Sequence, residues 1–256
     1  MTITAYHRPQ TLDEALTLLA QPNTLPLGGG TLLSHASSSL SAGSTSDSVQ
    51  AVDLQLLGLD SLTKKGHEVV IGATLTLQAL LESEHCPEPL KAALKLEAPL
   101  NIRNSATVAG TIVACDGRST FAAILLALDA KIERAIFDTS KIEYRTSNIG
   151  EFLPLRPRGL ITSITIPANV KLAFEYVSRT PADKPIVCVA LTQWNSGRTR
   201  LVLGGYGKSP MLGMDGTESV GVEAAARNAF YEATDEYASA EYRMDVAATL
   251  AKRCLG

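Results

Sequence analysis

Residues 101–130, NIRNSATVAGTIVACDGRSTFAAILLALDA, decide the fold. A short polar turn over 101–105 leads into a loop of small residues. A strand-like apolar run follows at Ile112, Val113 and Ala114, and an apolar helix begins at Phe121. Small residues let a backbone approach a ligand closely, and successive N–H groups can bind an anion. The small-residue loop consists of Thr107, Val108, Ala109, Gly110 and Thr111.

A second loop of this kind lies earlier in the chain, within LPLGGGTLL at residues 25–33. Each loop is next to an apolar run, so the two loops can hold a diphosphate between them. The alternative, that both are only tight strand exits, remains open on spacing alone. No GxGxxG follows a first strand, so a Rossmann-type NAD site is not supported. The earlier loop consists of Gly28, Gly29, Gly30, Thr31 and Leu32.

The composition favours a globular protein with a large core and excludes several classes of partner. The chain has 256 residues, of which 45% are hydrophobic, and its net charge is −3. Without a basic cluster, nucleic acid is not an expected partner. No apolar run has the length of a membrane span, and the N-terminus has no signal-peptide core, so we expect a cytoplasmic protein.

Side-chain patterns give no sign of a metal site or of an internal catalytic mechanism. The cysteines match no zinc or iron–sulfur spacing and are expected to be free, buried thiols. The histidines share no ligand spacing, and only His35 is near a loop that could bind a cofactor. We therefore predict no catalytic residue and no metal ligand. The cysteines are Cys86, Cys115, Cys188 and Cys254.

Several secondary-structure elements follow from local signals. Thr11 and Glu14 form a capping box before a helix, and residues 160–167 alternate and end at a proline, as a strand does. Residues 76–84 and 88–96 read as helices, and so do 222–237 and 241–254. Strands are expected over 25–27, 51–54, 69–74, 131–143, 173–179, 186–194 and 199–203.

Three motifs resemble one family. LGGGTLL is similar to the first flavin loop, AGGTDLL, of the FAD-binding subunits of molybdenum hydroxylases. NIRNSATVAGT resembles their second loop, QIRN-x-A-T-x-GGN, and SAEYR at residues 239–243 resembles their closing motif. This family includes the medium subunits of carbon monoxide dehydrogenase and the FAD domain of xanthine dehydrogenase. Its FAD-binding domain is of the p-cresol methylhydroxylase type.

The resemblance implies an α+β fold in three parts. Residues 1–56 and 57–168 would form two FAD-binding subdomains. Residues 169–256 would form a small C-terminal α+β domain, a three-stranded sheet with helices. In the family, both loops bind the FAD diphosphate through backbone N–H groups, which places all ten loop residues at the cofactor. The resemblance adds Thr120 and Leu160 to the expected contacts, although ordinary core packing is the favoured role of Leu160.

Departures from the family pattern fall at the binding site rather than in the core. Leu32 stands where relatives carry Asp or Ser, and Thr120 stands where they carry an Asp that contacts the flavin. Ala109 replaces a glycine, so a positive φ there would cost energy. Glu175, where relatives often carry lysine, would repel a phosphate. Arg118, Tyr206 and Trp194 are weaker candidates for cofactor contacts.

The resemblance implies an FAD-binding electron-transfer subunit of a molybdopterin-dependent hydroxylase or dehydrogenase, active only in a complex. Its partners would be a molybdopterin-binding large subunit and a [2Fe–2S] small subunit. Electrons would pass from the iron–sulfur cluster to FAD and then to NAD⁺, a quinone or oxygen. The altered loops keep an alternative open, a non-catalytic subunit of the same fold with a lost flavin site. A stand-alone flavin oxidase is the third hypothesis.

Overall fold

The structure, a computed structural model, describes residues 2–31, 48–138, 141–181 and 183–256. Its strands form three sheets of three, five and four strands, which follow one another along the chain. Leu32 and His35 lie outside the described residues, so their expected roles stay predictions. No helix in the described part of the chain has the length and apolar character needed to cross a membrane.

The first sheet is parallel and ends at the first glycine loop. Strands β1 (Thr2–His7), β2 (Thr24–Leu27) and β3 (Ser48–Asp53) pair in the order β1-β3-β2. Helix α1 (Leu12–Leu19) joins the outer strands, and its N-cap Thr11 accepts from the Glu14 N–H at 3.3 Å. Gly28 follows β2 directly, so the first loop begins at the end of this strand.

The second sheet is antiparallel, with the order β4-β5-β8-β6-β7. Helices α2 to α6 occupy the chain between β5 and β6, so the second loop belongs to this part of the protein. Its elements are β4 (Leu62–Lys65), β5 (Glu68–Gly72), α2 (Leu77–Glu82), α3 (Glu88–Glu97), α4 (Leu100–Arg103), α5 (Val108–Ala114), α6 (Thr120–Ala127), β6 (Lys131–Asp138), β7 (Lys141–Asn148), α7 (Ile149–Leu155) and β8 (Leu160–Pro167).

The C-terminal part is an antiparallel sheet of four strands, in the order β12-β11-β10-β9, with two helices. The sequence predicts three strands here, so this expectation is wrong by one strand, β12, which pairs with β11. The glycines and methionines of β12 do not give a strand pattern. Helix α8 also ends eight residues earlier than expected, at Ala229 rather than Tyr237. The elements are β9 (Lys171–Val177), β10 (Val187–Gln193), β11 (Thr199–Gly204), β12 (Met211–Gly216), α8 (Val222–Ala229) and α9 (Ala240–Leu255).

Helix α6 is the centre of the main core. All eight of its residues are buried, and its hydrophobic cluster includes Ile164 of β8 on one side and Val202 of β11 on the other. A helix that is apolar on every face needs cover on every face. The second and third sheets supply it, which joins the C-terminal part to the rest of the protein through one continuous core.

One prediction for residues 112–114 is wrong in kind. Ile112, Val113 and Ala114 belong to helix α5 and not to a strand. The side chain of Thr107 caps this helix by accepting from the Gly110 N–H at 3.2 Å, and Val108 and Ile112 bury one face at the helical spacing i, i+4. Because the helix is only seven residues long, its apolar end reads as a short strand.

Candidate functional site

The two small-residue loops line one groove of about 790 Å³. Such a volume lies within the range of roughly 300–1,000 Å³ that is usual for small-molecule and cofactor sites. The groove runs between the parallel sheet, the helices α3 to α5 and the start of β8. Its walls include Leu25 and Pro26 of β2, Ile102 of α4, and Leu160 and Ile161 of β8.

The loops are in direct contact, which only glycine permits. A Cβ on Gly28 would lie 2.7 Å from Thr107 Oγ1, and a Cβ on Gly29 would lie 1.7 Å from the Ser105 carbonyl oxygen. Both distances are shorter than any real Cβ contact. Gly30 adopts a φ of +68°, in the left-handed region where glycine pays no steric cost. The first loop therefore needs its glycines in order to lie against the second.

The loops differ in the hydrogen-bond donors that they leave open. No described residue accepts a hydrogen bond from the N–H groups of Gly28, Gly29 or Gly30. Most N–H groups of the second loop are already engaged: Val108 N–H donates to the Leu75 carbonyl at 2.9 Å, and Ala109 N–H donates to the Ala73 carbonyl at 3.0 Å. The first loop is therefore the wall on which an anion finds backbone donors.

Helix α5 explains this difference. The N–H groups of Gly110 and Thr111 donate to the side chain and the carbonyl of Thr107, and only the Thr107 N–H finds no acceptor among the described residues. Ala109 lies inside the helix and is not a residue of positive φ, so the expected backbone cost of replacing glycine does not arise. Thr107 still has a hydroxyl hydrogen to donate, because its oxygen only accepts from Gly110.

Thr74 is a site residue that the sequence did not single out. It lines the groove, yet its buried hydroxyl has no hydrogen-bond partner among the described residues. An unpaired buried hydroxyl costs free energy, so such a group at a cavity wall is usually satisfied by what the cavity holds. The only sequence signal was its place at the end of an apolar strand, in IGAT, beside the second loop.

Most of the predicted site residues line the groove, two described ones do not, and one lies outside the described residues. The side chain of Val108 is fully buried in the core. Thr120 is also fully buried, and its hydroxyl donates to the Ala93 carbonyl at 2.7 Å. Its expected contact with the flavin stays a prediction. Leu32 is not described. The predicted residues that line the groove are Gly28, Gly29, Gly30, Thr31, Thr107, Ala109, Gly110, Thr111 and Leu160.

The weaker candidates have structural roles away from the groove walls. Arg118 donates to the carbonyls of Lys184 and Pro185, at 2.6 and 3.3 Å, and stacks over Tyr237. The Tyr206 ring lies against Arg243, and the Trp194 ring against Arg198. Glu175 pairs with Val189 within the C-terminal sheet and is not a wall residue.

A carboxylate and an ammonium group share one part of the groove. The Glu97 side chain is only 6% exposed, and its Oε2 accepts from Ser119 Oγ and Phe121 N–H at 2.8 and 3.0 Å. At 3.3 Å it also shares the Thr120 hydroxyl hydrogen with the Ala93 carbonyl. Its other oxygen lies 3.7 Å from Lys184 Nζ. Both residues line the groove.

The one thiol in the groove wall is not a nucleophile. Cys115 is buried, and burial raises the pKa of its thiol to about 11, although the nearby Arg156 opposes the shift. A thiol with so high a pKa stays protonated near neutral pH. All four cysteines are free and buried, which confirms the expectation for them.

The chain belongs to the family of FAD-binding domains of molybdopterin dehydrogenases, whose family model matches residues 2–169. The resemblance read from the loops is thereby confirmed, and FAD is the cofactor that this family supports. The chain is 26% identical, over 97% of its length and 93% of the relative's, to the uncharacterized protein YgfM of Escherichia coli K12. It is 27% identical to the 6-hydroxypseudooxynicotine dehydrogenase complex subunit alpha of Paenarthrobacter nicotinovorans, over 77% and 75%.

A solved structure of carbon monoxide dehydrogenase from Oligotropha carboxidovorans has the same fold. The TM-score is 0.78 at 24% identity, and the match covers 98% of this chain and 96% of that one. Such a match shows the fold alone. The groove itself fits FAD, because it combines open backbone donors, an unsatisfied hydroxyl and long apolar walls.

Proposed function

We propose that the protein is the FAD-binding electron-transfer subunit of a molybdopterin-dependent hydroxylase or dehydrogenase complex. The observation that carries the proposal is the contact between the two loops, which brings the open N–H groups of Gly28 to Gly30 and the Thr107 hydroxyl to one groove. A diphosphate needs several donors close together, and backbone N–H groups supply them without the entropy cost of long side chains.

Each part of the groove has a task in holding the dinucleotide. The glycine loop and Thr107 bind the diphosphate, and Thr74 supplies one more hydrogen bond. Leu160 and Ile161 provide apolar surface against which a planar ring can pack. When bound, FAD supplies the electron-transfer chemistry, and the protein contributes binding, orientation and charge.

The partners of the subunit follow from the family and from one relative. The Paenarthrobacter relative is by name one subunit of a dehydrogenase complex. We propose that this chain likewise assembles with a molybdopterin-binding large subunit and a [2Fe–2S] small subunit in the cytoplasm. FAD would accept electrons from the iron–sulfur cluster and pass them to an external acceptor.

Purification of the chain with its natural partners tests this function. A tagged chain, isolated from its own host, should carry about one FAD per chain and bring with it subunits that contain molybdenum and iron. Reduction of the complex by its substrate should then bleach the flavin absorbance. Isolation of a colourless chain without such partners would contradict the proposal.

A second candidate is a non-catalytic subunit of the same fold. The observation in its favour is that the N–H groups of residues 108–111 are already hydrogen-bonded within the protein, so the second loop offers a cofactor few backbone donors. Titration of the purified chain with FAD separates the two. Saturable binding with a change in flavin absorbance supports the first function, and no binding supports the second.

A further inference from the structure

The pair formed by Glu97 and Lys184 has capacity for hydrogen bonds that the protein does not use. Glu97 Oε2 has three donors around it, whereas Lys184, at 3.7 Å, is the one partner that the described residues give Oε1. Lys184 Nζ lies 3.8 Å from Asp116 Oδ1 as well. Both distances exceed a hydrogen bond, so the ammonium group is held by charge, and none of the residues that the structure describes accepts a hydrogen bond from it.

The surroundings hold both groups in place. Glu97 ends helix α3, and its three hydrogen bonds tie it to the N-terminus of α6. The backbone of Lys184 is held by Arg118, which donates to the Lys184 carbonyl at 2.6 Å and stacks 4.2 Å from the Tyr237 ring centroid. Side chains that are fixed by their own partners are pre-organised for a ligand.

On the basis of the proposed function, we propose that Glu97 and Lys184 bind the isoalloxazine ring of FAD and set its reduction potential. The pyrimidine edge of this ring carries an N–H donor between two carbonyl acceptors. Glu97 Oε1 can accept from the N–H, and Lys184 can donate to a carbonyl. These residues act on the cofactor by position and charge.

The adenine ring is the other planar group that the groove must hold, and a different region suits it. Around β2 and β3 the wall is mainly aliphatic, with Leu25, Pro26, Val49 and Leu54.

The flavin gains electrons on reduction, so a lysine with free donors stabilises its reduced form more than its oxidised form. A paired carboxylate has the opposite effect.

Equilibrium binding of three ligands to the full chain locates the ring. Lys184→Met should raise the Kd of FAD and of riboflavin about ten-fold, because a charge-assisted hydrogen bond is lost. The Kd of ADP, which lacks the flavin, should not change. Lys95→Met is the matched control, since Lys95 is exposed on the same helix as Glu97 and is not part of the groove wall. It should leave all three constants unchanged.

The reduction potential of the bound flavin, measured against a reference dye, gives a readout that a structural role would not move. Lys184→Met should lower the potential and Glu97→Gln should raise it, each by about 30 mV for a ten-fold change in the ratio of oxidised to reduced affinity. Lys95→Met should have no effect.

The outcomes separate this inference from the proposed function. If the unmodified chain binds no FAD, the proposed function is wrong. If the chain binds FAD but Lys184→Met raises the Kd of ADP as much as the Kd of FAD, Glu97 and Lys184 face the adenine ring. The assignment to the flavin ring is then wrong. Unchanged affinities and potentials in both variants would likewise overturn the assignment while leaving FAD binding intact.

Discussion

At the scale of single residues, the site depends on Gly29. Its α-carbon lies so close to the second loop that an added Cβ would be 1.7 Å from the Ser105 carbonyl oxygen. The contact involves backbone on both sides, and no side-chain rotation can relieve it. The shape of the groove at this point is therefore set by the absence of a side chain.

We predict that Gly29→Ala separates the loops. The overlap with Ser105 forces the backbone apart, at a cost of about 1 to 3 kcal/mol, and moves the open N–H groups away from Thr107. FAD affinity and the free energy of unfolding should both fall, as measured by flavin titration and urea unfolding. Gly150→Ala is the control: its Cβ would meet only side-chain atoms, at 3.4 Å or more, within helix α7. Equal behaviour of the two variants would contradict the account.

Thr74→Val should change binding and stability in opposite directions. Valine has the shape of threonine but removes a buried hydroxyl to which no residue in the described part of the chain is hydrogen-bonded. The free energy of unfolding should therefore stay the same or rise, while the Kd of FAD rises about five-fold through loss of one neutral hydrogen bond. The exposed Thr63→Val on β4 should affect neither quantity. A destabilised Thr74→Val with normal FAD affinity would show that the hydroxyl serves the fold.

At the scale of elements, the sequence predicted structure where one local signal dominates. Helix α1 with its Thr11 cap, strand β8 and the all-apolar α6 lie where the pattern put them. The mistakes fall where tertiary contacts decide. Helix α5 is too short for a visible period, and the glycines of β12 hid the fourth strand of the C-terminal sheet. Neither Thr74 nor Glu97 has a motif, since their importance comes from segments far apart in the chain.

An ion-pair cluster joins the turn after α6 to strands β11 and β12. Asp215 of β12 accepts from Arg198 Nε and Nη2 and from Arg200 Nη1, at 2.7 to 2.8 Å. The hydrogen bonds from Arg198, followed by the charge of Arg200, hold the pKa of Asp215 below its ordinary value of 3.8. The same arginines contact Asp129, which lies between α6 and β6.

Asp215→Asn should lower the free energy of unfolding by about 2 kcal/mol at neutral pH. A carboxyl whose pKa is lowered by folding stabilises the protein fully above its unfolded pKa, and the stabilisation is lost as the pH falls through the folded pKa. The difference between the native protein and the variant should therefore shrink in acid. Urea unfolding at about pH 7 and about pH 3 measures this. The exposed Asp60→Asn should show no such pattern, and a constant difference for Asp215→Asn would contradict it.

At the scale of the whole molecule, the C-terminal part contributes to the groove through Lys184 and is hydrogen-bonded to the segment before α6. Gly117 N–H donates to the Gly207 carbonyl, and Gly205 N–H donates to the Gly117 carbonyl, at 2.9 and 2.7 Å. These bonds dock the loop after β11 onto the segment before α6. Arg118, next in the chain, reaches from that segment to the Lys184 backbone. The position of Lys184 in the groove thus depends on how the C-terminal part is docked.

Arg118→Met should weaken FAD binding although Arg118 is not part of the groove wall. Loss of its hydrogen bonds to Lys184 and Pro185 releases the backbone that places the Lys184 ammonium group. Amide hydrogen exchange over residues 180–187 should become faster, and the Kd of FAD should rise. Arg145→Met, at an exposed position on β7, should change neither. Faster exchange with unchanged FAD affinity would show that this link has no bearing on the site.

If the two loops form one diphosphate site, an experimental structure of the chain with FAD should show both phosphates there. They should lie within hydrogen-bond distance of the Gly28, Gly29 and Gly30 N–H groups and the Thr107 hydroxyl. A diphosphate bound elsewhere, or a groove without FAD at a saturating concentration, would contradict this prediction.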